Sequence, residues 1–370
     1  DTLDKRVSDH LHFRNEEEKE ELRQIVEKWH GHTFGDFAAD LEEPDVKDML
    51  DALVFTHGVS NQSTMNHTPD YDNMVKRGYR WYIDQCKEKL ANHVCKDVYD
   101  MEQRINWEAM IIAMEAIISF AHRYADLAEK QAAECTDPKR KEELLTMAEN
   151  CRRVPEFAPE TFLQAVQLVW FTHLAIVLEA VGGDHCLGRF DQYMYPFYKK
   201  DIEEGSLTKE QVLTLLKFQW VKHLEIAVYQ GDAYAKALSG HTGQTISLGG
   251  YTADGDDAST ELELLLMDTQ VVMKNIQPTL ALFYTPKMEQ AYLEKAVDVV
   301  REGSGQPQFM NMAAAMTRSL VRFASRGVTL DEARTCPVIF GCVGTGMAGK
   351  GSYVTFEGQP NLAKLVELTL

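Results

Sequence analysis

A single thiol stands among three glycines in Gly341-Cys342-Val343-Gly344-Thr345-Gly346, directly after the apolar run Pro337-Val338-Ile339-Phe340. Glycine lets a backbone take positive φ and approach another group closely, so a thiol in such a setting can be presented at a loop tip. Three readings of the residues alone stay open. Cys342 can be an inert buried cysteine in a strand-to-loop turn, the default for the residue type. It can be a thiolate nucleophile, which requires a base, a cation or a helix N-terminus to lower its pKa. It can also exchange a hydrogen atom, which requires no ionised sulfur but does require a dry cavity and a precursor radical. His, Lys and Arg are absent from Ile339 to Ala348, which argues against the thiolate.

Other polar groups with chemical potential are scattered. His57 and His67 flank Ser60-Asn61-Gln62-Ser63-Thr64, and Asp184-His185-Cys186 precedes Leu187-Gly188-Arg189. His173 and His223 fall on apolar helical faces, where a histidine is more often a hydrogen-bonded core residue than a ligand. No histidine and acid cluster has metal-ligand spacing, so no metal is expected in this chain.

The elements that must carry these groups divide near Gly240. Residues 1–240 read as mainly helical. Asn15-Glu16-Glu17-Glu18 caps a helix that should stop near Gly31, with acids at the positive end of its dipole. Asp70 to Leu90 and Asn106 to Ala133 carry apolar residues at three- and four-residue steps. Pro155 and Pro159 precede a further helix marked by Phe162, Ala165, Val166, Val169, Trp170 and His173. Leu207-Thr208-Lys209-Glu210-Gln211 reads as a cap opening a helix to about Val228. The apolar stretch Val169 to Val181 is too short to span a bilayer and contains His173 and Glu179, so it reads as a buried helix. Residues 241–370 alternate strands with helices. Strands are expected at Gln244–Leu248, Thr279–Tyr284, Gln308–Met310 and Pro337–Phe340, with helices at Asp257–Met273, Lys287–Arg301 and Ala313–Arg326. Such alternation implies an α/β architecture with active groups at strand ends.

The 370 residues are 45% hydrophobic and 26% charged, as in folded globular domains; their number allows one large domain or two smaller ones, and one domain over 1–370 is expected. A formal net charge of −19 opposes binding to nucleic acid or anionic membranes. Asp1 to Asn15 lack the apolar run of a secretory signal. Seven cysteines without a CxxC pair argue against a disulfide framework or structural zinc and fit a reducing, cytoplasmic compartment.

Gly341-Cys342-Val343 followed by Thr345-Gly346, Gly349-Lys350, Tyr353 and Asn361 to Leu368 resembles the cysteine loop and following helix of glycyl radical enzymes of the pyruvate formate-lyase superfamily. Further stretches resemble that family in the same order: His67 to Tyr71, Val154-Pro155 to Trp170, Leu187 to Tyr198, Thr245 to Gly250, and Gln277 to Leu280. The resemblance implies a barrel of two antiparallel half-sheets surrounded by helices, present here in part, with a helix-rich N-terminal portion. It implies that Cys342 carries a thiyl radical that abstracts hydrogen from a small carboxylate. It further implies a glycyl radical on a residue outside this chain, installed by an S-adenosylmethionine iron–sulfur activase, and a homo-oligomeric enzyme. His67, Asp184, His185 and Gly344 fall where family members line the substrate cavity, and His185 would orient a carboxylate.

Two departures from the family pattern bear on the reaction. Lyases of the family usually carry a glutamate two residues after the cysteine, where this chain has Gly344, so proton transfer must come from another group or not occur. Glu357 is one substitute. Gly341 and Val343 exclude the adjacent cysteines of pyruvate formate-lyase itself. The loop spacing looks most like the arylacetate decarboxylase branch, which includes 4-hydroxyphenylacetate decarboxylase. The alternatives are radical addition to fumarate, dehydration of a diol or hydroxy acid, and an inactive homologue or fragment. The C-terminal radical motif is absent before Leu370, and Arg77-Gly78-Tyr79 is a fragment inside a helix, so the resemblance implies an internal portion of a longer chain.

Overall fold

The computed structural model describes residues 13–56, 68–179, 184–226, 243–341, 343–351 and 359–370. Helix α1 (Glu16–Trp29) opens on Asn15, whose side chain accepts from the Glu18 amide. Two short helices follow, α2 (Phe34–Asp40) and α3 (Pro44–Asp51), and then strand β1 (Phe55–Thr56). Helix α4 (Tyr71–Asn92) packs against α5 (Val98–Glu134), which in turn packs against α6 (Pro138–Arg153). Helix α5 begins eight residues before the predicted Asn106, because Asp97 caps it by accepting from the Asp100 amide. Helix α7 (Phe162–Glu179) then enters the core, followed by α8 (Phe190–Glu203) and α9 (Lys209–Glu225). Thr208 and Gln211 form the capping box of α9 that their spacing predicts.

Helix α7 is 18 residues long and apolar enough to cross a membrane by length and composition. Its buried residues Phe162, Ala165, Leu168 and Val169 instead join the main core with Tyr71, Val154, Phe190 and Trp220. At the polar positions, Tyr79 donates to Thr172 Oγ1 at 2.7 Å, and Thr172 donates to the Leu168 carbonyl. The expected core helix is therefore present, with bounds set earlier in the chain.

The second portion contains β2 (Ile246–Gly249), α10 (Glu261–Met273), β3 (Leu280–Tyr284), α11 (Gln290–Val299), β4 (Gln308–Asn311), α12 (Met312–Arg322) and α13 (Leu330–Thr335). Strands β2, β3 and β4 form a parallel sheet in that order. All four residues of β2 are buried, as a sheet covered on both faces requires, whereas β4 alternates half-buried and exposed. Next come β5 (Pro337–Phe340) and β6 (Gly344–Met347), paired antiparallel with Phe340 opposite Gly344. Strand β7 (Gln359–Pro360) pairs with β1, and α14 (Leu362–Thr369) closes the described chain. The expected strands are all found within two residues, and β6 is added. Its Gly-Thr-Gly-Met sequence carries little strand signal, and pairing with the apolar β5 supplies what local propensity does not. Among the described residues the strands form a three-stranded parallel sheet, the β5–β6 hairpin and the short β1–β7 pair, a partial α/β assembly.

Gly78 does not continue its helix as expected. It sits at φ 69° and ψ 170°, a region nearly reserved for glycine, and kinks α4. The reason is tertiary. The 155–157 segment inserts at the kink, so that the amides of Tyr79 and Arg80 donate to the carbonyls of Pro155 and Glu156 at 2.9 and 2.8 Å. A Cβ on Gly78 would lie 2.6 Å from Phe157 Cα. Gly78→Ala should therefore lower the unfolding free energy by about 2 kcal/mol or more, read as a reduced urea midpoint at unchanged m-value. An unchanged midpoint would show that the kink relaxes without cost.

Candidate functional site around the β5–β6 hairpin

Cys342 itself lies outside the described residues, as do His67, His57, Ser60 to Thr64 and Glu357. The residues on either side of Cys342, Gly341 and Val343, close the turn between β5 and β6. The hairpin is fastened to the start of β2 by side chains of that strand and of the two residues before it. The Ile339 amide donates to Ser247 Oγ at 3.0 Å, and Thr245 Oγ1 donates to the Gly341 carbonyl at 3.1 Å. Within the hairpin the Phe340 ring lies across Gly346, where any side chain would collide with it. Gly344 is a half-buried strand residue rather than a loop tip. Among the described residues, a Cβ there would meet only the Phe340 carbonyl oxygen at 3.3 Å and Phe340 Cβ at 3.5 Å.

Asp184 comes to this turn from far away in sequence. Its carboxylate occupies the space between Gly341 and Gly243, so that a Cβ on Gly341 would lie 2.9 Å from Asp184 Cγ and one on Gly243 2.7 Å. Gly341 also has φ +49°, and both features demand glycine before the cysteine. Burial pushes the Asp184 carboxyl above the ordinary carboxylate range, partly offset by a hydrogen bond from the Gly243 backbone. Cys186 is fully buried beside it, and burial, with the Asp184 charge second, pushes this thiol up to about 12. Such a thiol stays protonated. His185 is also buried, and its amide donates to the Gly243 carbonyl at 2.9 Å. Thr68, the residue after His67, is 4% exposed, and its carbonyl accepts from the Gly349 amide just beyond β6. The fold thus gathers the 184–186 segment, Gly344 and the neighbour of His67 around one hairpin.

Beneath the hairpin lies a network that neither motif nor spacing announced. Gln244 Oε1 accepts from His173 Nε2 and His223 Nδ1, each at 2.8 Å, and Gln244 Nε2 donates to the His223 carbonyl at 2.9 Å. An amide oxygen only accepts, so both ring nitrogens carry hydrogen. These are the satisfied core histidines that their helical positions predict. Arg189 braces the other approach. Its guanidinium donates to the carbonyls of Gly249, Tyr251, Arg334 and Thr335, the last two lying at the end of α13 just before β5. Asp191 accepts from the Gly249 amide at 2.9 Å, and burial, opposed by Arg189, raises its carboxyl to about 6. Glu263, with no exposed surface, is raised well above its usual range by burial and then by Asp191 and Asp257.

Surface clefts are found elsewhere among the described residues. One of about 600 Å³ is lined by Ala313, Thr317 and Val321, and another of about 340 Å³ by Arg80, His122 and Glu156. No group of three or more His, Cys, Asp or Glu side chains is gathered as metal ligands among the described residues.

A pyruvate formate lyase-like family profile matches residues 1–370. Trans-4-hydroxy-L-proline dehydratase of Clostridioides difficile is 32% identical over 368 residues, covering 98% of this chain and 46% of the relative. Indoleacetate decarboxylase of Tractidigestivibacter scatoligenes is 32% identical over 305 residues, covering 82% of this chain and 34% of the relative. The glycerol-bound B12-independent glycerol dehydratase from Clostridium butyricum superposes with a TM-score of 0.89 at 30% identity, covering 100% of this chain and 46% of that one. The chain belongs to the pyruvate formate lyase-like family, and its relatives are glycyl radical enzymes. It spans less than half the length of the relatives it matches.

The buried network sets a pH dependence. Burial holds His223 down to about 4 against 6.5 when exposed, so the unfolded chain takes up this proton first as pH falls. Its contribution to stability is full above pH 6.5 and is lost between 6.5 and 4, by up to about 3 kcal/mol. Asp191 acts oppositely over part of that window, so the informative quantity is a difference. The stability gap between wild type and His223→Gln should shift by that amount between pH 6.5 and 4 in urea titrations. A gap independent of pH would mean that His223 is not held neutral.

Proposed function

We propose that this chain is part of a glycyl radical lyase in which a thiyl radical on Cys342 abstracts hydrogen from a small substrate. The observation that carries the reading is the way the turn around position 342 is held. Three separate segments, at Thr68, at 184–186 and at 243–247, converge on its hairpin, and glycine is demanded next to the cysteine by an opposing carboxylate. A hydrogen-abstracting sulfur must meet its substrate carbon at contact distance, and rigid second-layer bonding is what such positioning requires. The radical supplies the difficult chemistry, while the protein orients the substrate and excludes water and oxygen. In this reading a glycyl radical outside the chain feeds Cys342 after installation by a radical S-adenosylmethionine activase. The three-stranded sheet is one part of the family's barrel, and His67, Asp184, His185 and Gly344 line the substrate cavity.

The bond that breaks is the finer question. The loop spacing after Gly344 favours carbon–carbon cleavage such as arylacetate decarboxylation. The reach of the relatives favours loss of a hydroxyl group, since the hydroxyproline dehydratase aligns over 98% of the chain and the indoleacetate decarboxylase over 82%. We take dehydration of a vicinal diol or hydroxy acid as the leading subclass and decarboxylation as the second. Radical addition to fumarate is favoured by neither observation.

In the activated enzyme, Cys342→Ser should abolish turnover while leaving the glycyl radical signal in electron paramagnetic resonance at its wild-type yield. Turnover retained by the variant would remove Cys342 from the mechanism. Failure of the wild type to acquire any glycyl radical from its activase would favour an inactive homologue.

A further inference from the structure

Independently of the reaction catalysed, we infer that Asp191 and Glu263 form a buried latch that holds one proton between two carboxyls, keeps Arg189 on the carbonyls at the end of α13, and loosens as the pH rises. The two side chains come from α8 and α10, and neither has exposed surface. Asp191 uses Oδ2 to accept from the Gly249 amide and from Gln192 Nε2. Among the described residues its Oδ1, both oxygens of Glu263 and Ser259 Oγ have no hydrogen-bond partner. The cation beside them is Arg189, which feels the charges of Asp191, Glu263 and Asp257. Its Nη1 and Nη2 are committed to the carbonyls of Gly249, Tyr251, Arg334 and Thr335. The other groups that act on Glu263 or respond to it bring no positive charge. Asp257, before α10, accepts from Thr285 Oγ1, and Tyr292 stands on α11. Lys209 of α9 pairs instead with Glu261 at the exposed start of α10.

A buried carboxylate without a partner is far less stable than the same group carrying a proton, so two such groups beside one cation retain one proton between them. Asp191 is the one that ionises, because two donors and Arg189 favour its charge, and burial leaves its carboxyl at about 6. Glu263 lacks such donors. Burial and then the charges of Asp191 and Asp257 raise it well above the ordinary range, opposed in part by weak polar contacts from Ser259 and the Thr260 backbone. Both carboxyls are raised in the fold, so each contribution to stability is complete below the unfolded pKa and is lost as pH climbs through the folded one. For Asp191 that loss is spread from 3.8 to about 6. Above it, of the two, Glu263 carries the dependence, since the unfolded chain has released this proton and the folded chain has not. Once Glu263 ionises, a second carboxylate competes with the carbonyls of Arg334 and Thr335 for the guanidinium, and the tie between α8 and the start of β5 weakens.

The test compares the full-length wild type with Glu263→Gln, which keeps the shape of the side chain and removes its need for a proton. Between about pH 6.5 and 9 the ratio of the two unfolding constants in urea titrations should grow about tenfold per pH unit until Glu263 ionises in the fold, as linkage to one proton requires. Hydrogen exchange of the 333–340 segment should be equal in the two proteins at the lower pH and faster in wild type at the higher. With isotope-labelled glutamate, wild type at neutral pH should show the infrared carbonyl band of a protonated acid, and Glu263→Gln should lack it. If Glu263→Gln does not fold, the wild-type spectrum decides alone, and absence of the band overturns the inference. A ratio of unfolding constants independent of pH means that Glu263 is ionised in the fold and overturns it too. A pH-dependent ratio with equal exchange of 333–340 at both ends of the range separates the carboxyl pair from α13 and overturns the latch.

Discussion

Everything at the candidate site depends on one close approach, that of the Asp184 carboxylate to the backbone of Gly341. A carboxylate that near a chain tolerates no Cβ, and Gly341 in addition takes a positive φ. The approach fixes the depth of the turn relative to the 184–186 segment. The bonds from Ile339 to Ser247 Oγ and from Thr245 to the Gly341 carbonyl fix its direction relative to β2. Because β2 is buried along its whole length against α8, β3 and β5, the hairpin inherits the rigidity of the core. Each neutral hydrogen bond contributes only about 1 kcal/mol net, but losing one partner leaves a buried group unsatisfied, which costs more. The turn is thus held less by the strength of any bond than by the penalty for breaking it.

The polar groups under the site obey the same accounting. Gln244 uses its amide oxygen for two histidines, its amide nitrogen for a carbonyl and its backbone amide for Gln277 Oε1. His223 pays for this burial by giving up its charge at neutral pH. Arg189 keeps its charge, with four backbone carbonyls around the guanidinium and Asp191 beside it. Two of those carbonyls end α13, where the helix dipole is negative, so the cation suits its place electrostatically as well as by hydrogen bonding. Burial raises both Asp191 and Glu263, and the Asp191 charge raises Glu263 further, since two neighbouring buried carboxyls are most stable when one retains a proton.

Much of this was legible in the residues because the elements obey local rules. The caps at Asn15 and Thr208, the apolar spacing after Asp70 and the alternation in the 244–248 segment led to the helices and the strand that are found. Strand β6 was not legible, because its glycines have no intrinsic strand preference and Phe340 needs Gly346 for space. Gly78 was misread as helical, because the segment that breaks the helix there lies some 80 residues further along the chain. The site divided in the same manner. The special setting of Cys342 was visible in its flanking glycines, whereas the contact between Asp184 and Gly341 spans 157 positions and leaves no local trace.

That contact also gives physical sense to the glycine at 344. A carboxyl on β6 and one at 184 would both face the turn around Cys342, and two carboxylates sharing a partly dehydrated space repel unless one is protonated. With a hydrogen at 344, Asp184 is spared that repulsion, and its raised carboxyl is explained by burial, partly offset by the Gly243 bond, without a second acid. The same substitution leaves open volume beside Phe340, since a Cβ would meet only backbone oxygen and Cβ of that residue. A hydrogen at 344 therefore avoids a buried pair of like charges beside Gly341 and, among the described residues, leaves space on the inner side of β6.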